Sequence, residues 1–435
     1  MPAARNNPGP AATIFALSSG TPPAGVAVVR ISGPAAGEAL DRLTGRTRPA
    51  ARRATLRTLL DPDSGDRLDQ ALILWLPGPG SATGEDMAEL HLHGGRAVTA
   101  AVLAVLGKST GLRPAEPGEF TRRAFETGRI DLNEAEALAD LLAAETEGQR
   151  RNAMLLASGA LSRAVRRWQE QVLTLSARLE AEIDFSDEDD VAPLDPGFTA
   201  DVAALGSEIE RWRGLPPVER LRDGIRVVLA GPPNAGKSTL FNTLTGREAA
   251  IVTPIAGTTR DLIEAPVAIR GVPFLLIDTA GIHGGSGDVV EAIGINRASQ
   301  AIESADIIIW LGDPYKAPEG ALRVGAQADR HPRAPGDYDV VLSAATNEGI
   351  ETLVDVLVGR AGDMLPGEGE AALSGRQRDA LDSVSEALSL AAGERDIVLA
   401  AESLRIARVA LDRLTGRAGT EQMLDALFGR FCIGK

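Results

Sequence analysis

Lys237 and Ser238 close the segment Gly231-Pro-Pro-Asn234-Ala235-Gly236-Lys237-Ser238, which follows an apolar run at 225–230 and precedes a helix-forming stretch at 239–244. Glycine, four residues, then Gly-Lys-Ser, in the order strand, loop, helix, is a phosphate loop. Its glycines let backbone N–H groups turn inward onto a β-phosphate, and the Lys237 ammonium reaches the β- and γ-phosphates. The Ser238 hydroxyl is a ligand for Mg2+, and the N-terminus of the helix that begins about Thr239 adds its positive end. The chain has four lysines against 41 arginines. A compact ammonium at 237 suits a phosphate where a bulky guanidinium does not.

Two further segments follow in the order such chemistry needs. Gly257-Thr258-Thr259-Arg-Asp261 offers a second hydroxyl for Mg2+, Thr259. Phe274-Leu-Leu-Ile-Asp278-Thr279-Ala280-Gly281 reads as a strand ending in an acid, with Asp278 holding Mg2+ through water and the Gly281 N–H sensing the γ-phosphate. Either segment alone reads equally well as a turn or a helix cap; the three in this order point to GTP hydrolysis. The base-reading stretch is irregular. GTPases usually carry Asn-Lys-x-Asp, and here the stretch is Ala326-Gln327-Ala328-Asp329. Asp329 still accepts two hydrogen bonds from guanine, but Ala326 lacks the bracing amide, and Gln327 lacks the stem and charge of lysine. Guanine selectivity is expected to survive with lower affinity, each missing hydrogen bond being worth about 1 kcal/mol. Ser343-Ala344-Ala345, after the apolar run 340–342, offers a turn suited to the guanine carbonyl.

The elements that must hold these residues follow from periodicity. Residues 1–125 read as a small α+β unit. Short apolar strands are expected at 26–31, 71–76 and 89–93, the last alternating at period two before Gly94-Gly95, with a helix at 97–106. Leu161, Val165, Trp168, Val172, Leu175 and Leu179 form a one-sided stripe on a long helix, read as a bundle seam without chemistry. An acidic loop spans 184–195 and lacks the spacing of a calcium loop. A second helix is expected at about 197–213. Residues 224–360 alternate strands and helices, the pattern of a mostly parallel sheet, and the chain after Pro366 reads as helical to its end, with Leu404, Ala407, Leu411 and Leu414 at bundle spacing. The α/β unit is therefore expected to sit inside one discontinuous helical domain.

Composition excludes other classes. The chain has 435 residues, which suggests about three domains. Its single cysteine, Cys432, excludes an intramolecular disulfide. A net charge of −15 argues against wrapping nucleic acid over the whole surface. Local positive surface is expected from the arginines of 46–57 and 163–167. With no leader-like start and no apolar run longer than stretches such as 307–311, the expectation is a soluble cytoplasmic protein with no membrane contact. His91 and His93 share one face of a strand with no third ligand nearby, and a structural role is expected for them.

These motifs, with Phe431-Cys432-Ile433-Gly434-Lys435 at the end and Gly25-Val-Ala-Val-Val-Arg30-Ile-Ser-Gly33, Gly84-Glu-Asp-Met-Ala-Glu89-Leu and Pro117-Gly-Glu-Phe-Thr-Arg-Arg-Ala-Phe125 near the start, resemble the MnmE (TrmE) family of tRNA uridine modification GTPases over nearly the whole chain. The resemblance implies an N-terminal α+β dimerisation and folate-binding domain at 1–125, an all-α helical domain at 126–222 and 365–435, and an inserted α/β P-loop GTPase domain at 223–364. It implies a homodimer that joins the flavoprotein MnmG (GidA) as a heterotetramer. Together they add an aminomethyl-type group, commonly carboxymethylaminomethyl, to carbon 5 of the wobble uridine of certain tRNAs. The one-carbon unit comes from a tetrahydrofolate derivative (5-formyl- or methylene-tetrahydrofolate), and GTP hydrolysis drives a rearrangement.

By the same resemblance Asn234 is the side-chain ligand of a K+ ion, with backbone oxygens of Thr253, Ile255 and Thr258, and Pro254, Ala256 and Gly257 belong to the same nucleotide-facing stretch. Lys237, Gly257, Glu291 (the water-orienting glutamate) and Cys432 (a thiol near the one-carbon group) take catalytic roles. Arg30, Glu89, Arg129 and Lys435 hold the folate, with arginine at 129 where the family often has lysine. An alternative reading is a non-catalytic GTPase switch in ribosome or RNP assembly, and a third is a P-loop ATPase.

Overall fold

A computed structural model describes residues 12–185, 196–247, 263–279, 299–331, 336–367, 369–417 and 421–435. The chain divides into two compact units, residues 1–139 with 412–435, and residues 140–411.

The first unit is built on a six-stranded sheet in the order β3-β4-β5-β2-β1-β6. Its strands are β1 (Thr13–Leu17), β2 (Val26–Ser32), β3 (Thr55–Leu60), β4 (Arg67–Leu76), β5 (Met87–His93) and β6 (Leu112–Pro114). All neighbours are antiparallel except β1 and β6. Alternation sorts the two faces. Ala27, Val29 and Ile31, with Ala71, Ile73 and Trp75 and with Ala88, Leu90 and Leu92, join one core together with helices α1 (Ala36–Thr44) and α2 (Arg96–Lys108). The other face carries Arg30 and Glu89, directly paired across β2 and β5. The expected strands and helix at 26–31, 71–76, 89–93 and 97–106 are present with longer ends.

Helix α3 (Glu119–Glu126) adds Phe120 to a small cluster with Ile14, Ala16 and Ala115. Helix α4 (Leu132–Ala143) contributes Ala135 to an aromatic cluster with Phe125, Phe428 and Phe431, the last two from the terminal helix Glu421–Phe428 and its tail. That tail corrects the expectation of helix to the end of the chain. Residues 429–435 leave the helix, and Ile433 forms an antiparallel bridge with Pro117. The break follows from backbone fit: Gly434 sits at φ +95°, and a Cβ there would strike the Leu17 carbonyl oxygen.

In the second unit, helices α5 (Glu147–Ala157), α6 (Ala160–Phe185) and α7 (Pro196–Arg213) precede the α/β block. A capping box of Thr146 and Gln149 starts α5. The six apolar positions of the expected seam all lie buried on α6, and Trp168 meets Trp212 of α7 edge-on at 5.9 Å. Of the acidic loop, residues 186–195 lie outside the described residues.

A short helix, α8 (Val218–Arg222), leads into β7 (Ile225–Ala230), α9 (Lys237–Arg247), β8 (Ile263–Ile269), β9 (Val272–Asp278), β10 (Ile307–Trp310), β11 (Leu322–Gly325), β12 (Val340–Val341) and α10 (Ile350–Gly362). The sheet order is β12-β11-β10-β7-β9-β8, parallel throughout except for β8. Leu240, Phe241 and Leu244 of α9 and Ile350, Leu353 and Leu357 of α10 bury against one face. Helices α11 (Gly375–Gly393) and α12 (Ile397–Thr415) follow, and α11 packs along α7. Where the block begins and ends, Pro217 and Leu373 form a parallel bridge, with the Val218 N–H donating to the Leu373 carbonyl (3.0 Å) and the Leu373 N–H to the Pro216 carbonyl (3.1 Å). Two helical segments thus flank an inserted α/β block whose ends are held side by side. The architecture is multidomain, with an α+β N-terminal part, a discontinuous all-α part and a P-loop α/β part.

Candidate functional site

The phosphate loop turns between β7 and α9. Gly236 sits at φ +98° and Asn234 at +64°, so the loop's crest uses two left-handed residues to bend the backbone inward. Lys237 opens α9 and is 4% exposed. Its ammonium donates to the Gly231 and Pro232 carbonyls, each at 2.9 Å. Burial pushes its pKa down, and the charge of Asp278 partly restores it. Asp278, 1% exposed, ends β9 opposite Leu229 of β7. Thr279 donates its hydroxyl to the Leu229 carbonyl at 2.8 Å. Parallel pairing of β7 and β9 thereby brings the loop's lysine and the strand-end acid to the carboxyl end of the sheet, the usual place for ligands in an open α/β sheet.

Beside the loop lies a cavity of about 100 Å3 lined by Gly236, Thr239 and Leu240 on one side and by Ala326, Gln327, Asp329, Arg330, Leu342, Ala344 and Ala345 on the other. Ser343 donates its hydroxyl to Asp329 Oδ1 at 2.6 Å, which holds that carboxyl below its ordinary pKa and leaves it ionised to accept from a base edge. Gln327 adopts φ +58°, and its amide Nε2 donates to the Asn234 carbonyl at 3.1 Å. Among the residues expected to bind nucleotide, Asn234 through Thr239, Asp278, Thr279, Asp329, Ser343, Ala344 and Ala345 are described. Thr253, Pro254, Ile255, Ala256, Gly257, Thr258, Thr259, Ala280, Gly281 and Glu291 lie outside the described residues.

The second set of expected residues lies in the first unit. Arg30 reaches Glu89 Oε1 through Nε (3.1 Å) and Nη2 (2.9 Å), and its guanidinium lies 5.7 Å from the centre of the Phe120 ring. His91 Nε2 is 3.4 Å from Glu89 Oε2. Glu89 is therefore held between an arginine and a histidine, and His91 is a neighbour of the candidate site that residue type alone did not reveal. Arg129 is exposed and its stem packs near Gly84. The Lys435 N–H donates to the Cys432 carbonyl at 3.2 Å. Cys432 is exposed and lines a cavity of about 690 Å3 with Phe15, Ala16, Leu17, Leu103 and Gly107. Arg30, Glu89, Arg129 and Lys435 are not part of that lining.

The same unit holds a charged network that spacing did not signal. Arg113 and Glu119 pair through two bonds of 2.8 and 2.6 Å. Arg123 then links Glu119 (3.0 Å) to Glu85 (2.9 Å), which accepts from Ser32 (2.8 Å). His93, also expected to be structural, pairs with Asp69 at 2.7 Å. Burial pushes the Asp69 carboxyl up, but the bonds from His93 outweigh it and hold its pKa low. Among the described residues, no group of three or more His, Cys, Asp or Glu side chains is arranged to hold a metal, and no helix is long and apolar enough to cross a membrane.

Residues 13–129 match the family model for the GTP-binding protein TrmE N-terminus, and residues 132–432 match that for the MnmE helical domain. The tRNA modification GTPase MnmE of Rhizorhabdus wittichii is 73% identical over 433 residues, covering 99% of this chain and 98% of its own length. The protein of the same name from Erythrobacter litoralis is 57% identical over 424 residues, covering 97% and 100%. The chain belongs to the MnmE family. The G domain of the T. maritima FeoB iron transporter is 26% identical over 32% of this chain and 98% of its own, with a TM-score of 0.23, too low to compare folds. Both relatives align over 97% or more of this chain, so the Arg30–Glu89 face and the nucleotide block fall within one continuous likeness.

Proposed function

We propose that this chain is a GTP hydrolase of tRNA modification. With a flavoprotein partner of the MnmG (GidA) kind, it adds an aminomethyl-type group to carbon 5 of the wobble uridine of certain tRNAs. The observation that carries the reading is a cavity walled by Gly236 of the phosphate loop, Thr239 of α9, and Asp329, Ala344 and Ala345 of the base-reading turns, in a chain whose relatives bear the name tRNA modification GTPase. In this reading the segments 1–125, 126–222 with 365–435, and 223–364 work as the folate-binding, helical and GTPase parts of a cytoplasmic homodimer.

The residues present fit the groups this function needs. The Lys237 ammonium, now turned onto two loop carbonyls, exchanges these for phosphate oxygens. Its buried charge is then met by anions, which is the arrangement that stabilises charge developing in phosphoryl transfer. Ser238 and Asp278 would supply hard oxygens for Mg2+; Asp278 ends β9 beside the end of β7, from which the loop leaves. Bound Mg2+ neutralises charge on the β- and γ-phosphate oxygens. Asn234, at the loop's left-handed crest, would offer an amide oxygen to K+, and that ion would supply positive charge at the phosphates. Asp329 accepts from the guanine N1–H and N2–H groups, and the Ala344 and Ala345 turn meets the carbonyl. For a tetrahydrofolate, Arg30 suits the glutamyl carboxylates and Glu89 the amino edge of the pterin; Arg129, Lys435 and Cys432 complete the set.

Mass spectrometry of wobble uridines in tRNA from cells with and without this protein tests the reading. Loss of the modified uridine on deletion supports it, and an unchanged profile overturns it. Hydrolysis faster in K+ than in Na+ supports the role of Asn234; equal rates refute it. Removing residues 432–435 is expected to leave hydrolysis intact and abolish modification.

A further inference from the structure

The base-reading stretch departs from the usual Asn-Lys-x-Asp by carrying Gln327 where a lysine is ordinary. In the structure that position is not idle. Gln327 takes a left-handed backbone conformation, uncommon for a residue with a Cβ. The result is that its amide spans from the base-reading turn to the phosphate loop and donates to the Asn234 carbonyl at 3.1 Å. The side chain also packs against Gly236, where an added Cβ would meet its Cγ at 3.7 Å. A lysine there would do two things at once: tie the loops together and bring a positive charge to the base pocket. The amide does only the first. The charge reappears three residues on. Arg330 lines the same cavity, with Nε 3.6 Å from Asp329 Oδ2 and most of its side chain in solvent.

We propose that the work of one lysine is divided in this chain. Gln327 is a neutral strut that fixes the base-reading turn to the phosphate loop at Asn234, and Arg330 supplies the cation at the mouth of the base pocket. A ligand that touches both loops, a guanine nucleotide, gains from the strut because the loops are already at the spacing it needs. Arg330 offers a planar guanidinium that faces the purine and offsets the ionised Asp329. The two contributions differ in kind. A neutral hydrogen bond is little affected by salt, whereas an exposed charge is screened by it.

The inference rests on the guanine-nucleotide reading of this cavity, and titration of the full chain with GDP separates the two. Gln327→Met keeps length and removes the donor without adding charge. It is expected to weaken GDP about five- to tenfold, equally in low salt (about 0.05 M) and high salt (about 0.5 M). Gln327→Lys restores a donor and is expected to bind at least as tightly as the unaltered chain, which excludes a folding defect as the cause of the loss. Arg330→Gln is expected to weaken GDP about threefold in low salt, a difference that vanishes in high salt. In steady-state hydrolysis Gln327→Met raises KM for GTP and leaves kcat within about twofold. Unchanged GDP affinity in Gln327→Met, or a fall in kcat at constant KM, overturns the strut. A salt-independent or absent effect of Arg330→Gln overturns the charge. If Asp329→Asn also leaves GDP affinity unchanged, the cavity does not read guanine, and it is the underlying assignment that fails.

Discussion

The phosphate loop and the Arg30–Glu89 face carry their charges in opposite ways. At the loop, Lys237 is buried against two neutral carbonyls, and burial depresses its pKa. On the N-terminal sheet, Arg30 is already neutralised by Glu89, which is shared with His91, and in the same unit Arg113, Glu119, Arg123 and Glu85 compensate one another. The first site gains by accepting an anion, because the fold compensates the buried ammonium only in part, through Asp278. The second must loosen an existing pair before either partner can serve a ligand. Affinity there comes from exchanging one set of polar contacts for another, so it is smaller for the same number of bonds. The fold thus holds the Lys237 ammonium at some cost, and the Arg30–Glu89 pair at little.

Removing the charge that each site depends on breaks the comparison most sharply. Lys237→Ala is expected to lower the rate of GTP hydrolysis on the order of a hundredfold or more. Arg30→Ala is expected to leave hydrolysis within about twofold and to abolish wobble modification. Parallel hydrolysis assays and tRNA mass spectrometry read both. A hydrolysis defect in Arg30→Ala equal to that in Lys237→Ala would mean that the two sites do not act separately.

The same contrast explains what could be read from residues alone. The phosphate loop is contiguous: six residues between one strand and one helix, with the first two of that helix, contain the geometry, so type and spacing sufficed. Asp278 followed because parallel strands finish at the same end of the sheet. The N-terminal face depends on register between strands far apart in sequence. Arg30 and Glu89 are 59 positions apart and meet because β2 and β5 align them; only the family resemblance named them together. His91 was visible as one of an alternating pair, but its contact with Glu89 needed the strand's actual face. Gln327 looked like a simple loss. Its strut depends on a left-handed backbone that no residue type announces. The tail misled because the bundle spacing of Leu404, Ala407, Leu411 and Leu414 was extended to the end of the chain, whereas residues 429–435 fit against Leu17 and Pro117, which lie more than 300 residues earlier.

The stability of the N-terminal network offers a finer test. Glu119→Gln removes the carboxylate between Arg113 and Arg123 and is expected to cost about 2–3 kcal/mol in the urea unfolding of the intact chain near neutral pH. Burial raises the Glu119 carboxyl, but the bonds from Arg113 and from the Glu116 N–H outweigh it, so the folded pKa lies below 4.5. The contribution is therefore full above the unfolded value and disappears as pH falls through the depressed folded one. The gap between variant and unaltered chain should close in acid; a gap constant with pH would mean that packing rather than charge is at stake. A smaller effect is expected at the tail. Gly434→Ala forces a Cβ toward the Leu17 carbonyl and strains φ, and should destabilise the tail by about 1 kcal/mol. Faster amide exchange at residues 432–435, with GTP hydrolysis unaltered, is the expected signature.

The smallest effect probes the depressed pKa of Lys237 directly. In the folded chain burial favours loss of the proton, so the folded value lies below the 10.5 of an ordinary lysine. Below the folded value both states hold the proton, and the whole penalty of burying the charge is present. Between the two values the unfolded chain binds more protons, so stability rises with pH. Other groups titrate in that range, and a comparison with Lys237→Met, which cannot titrate, removes their contribution. The unaltered chain should gain stability relative to this variant as pH rises from the depressed folded value toward 10.5. GDP should reverse the trend, because phosphate raises the pKa of an ammonium it touches. Thermal unfolding of both chains with and without GDP measures this. A difference that does not change with pH in the nucleotide-free pair would mean that the two loop carbonyls compensate the ammonium fully. The contrast between an anion-seeking loop and a self-neutralised N-terminal face would then be lost.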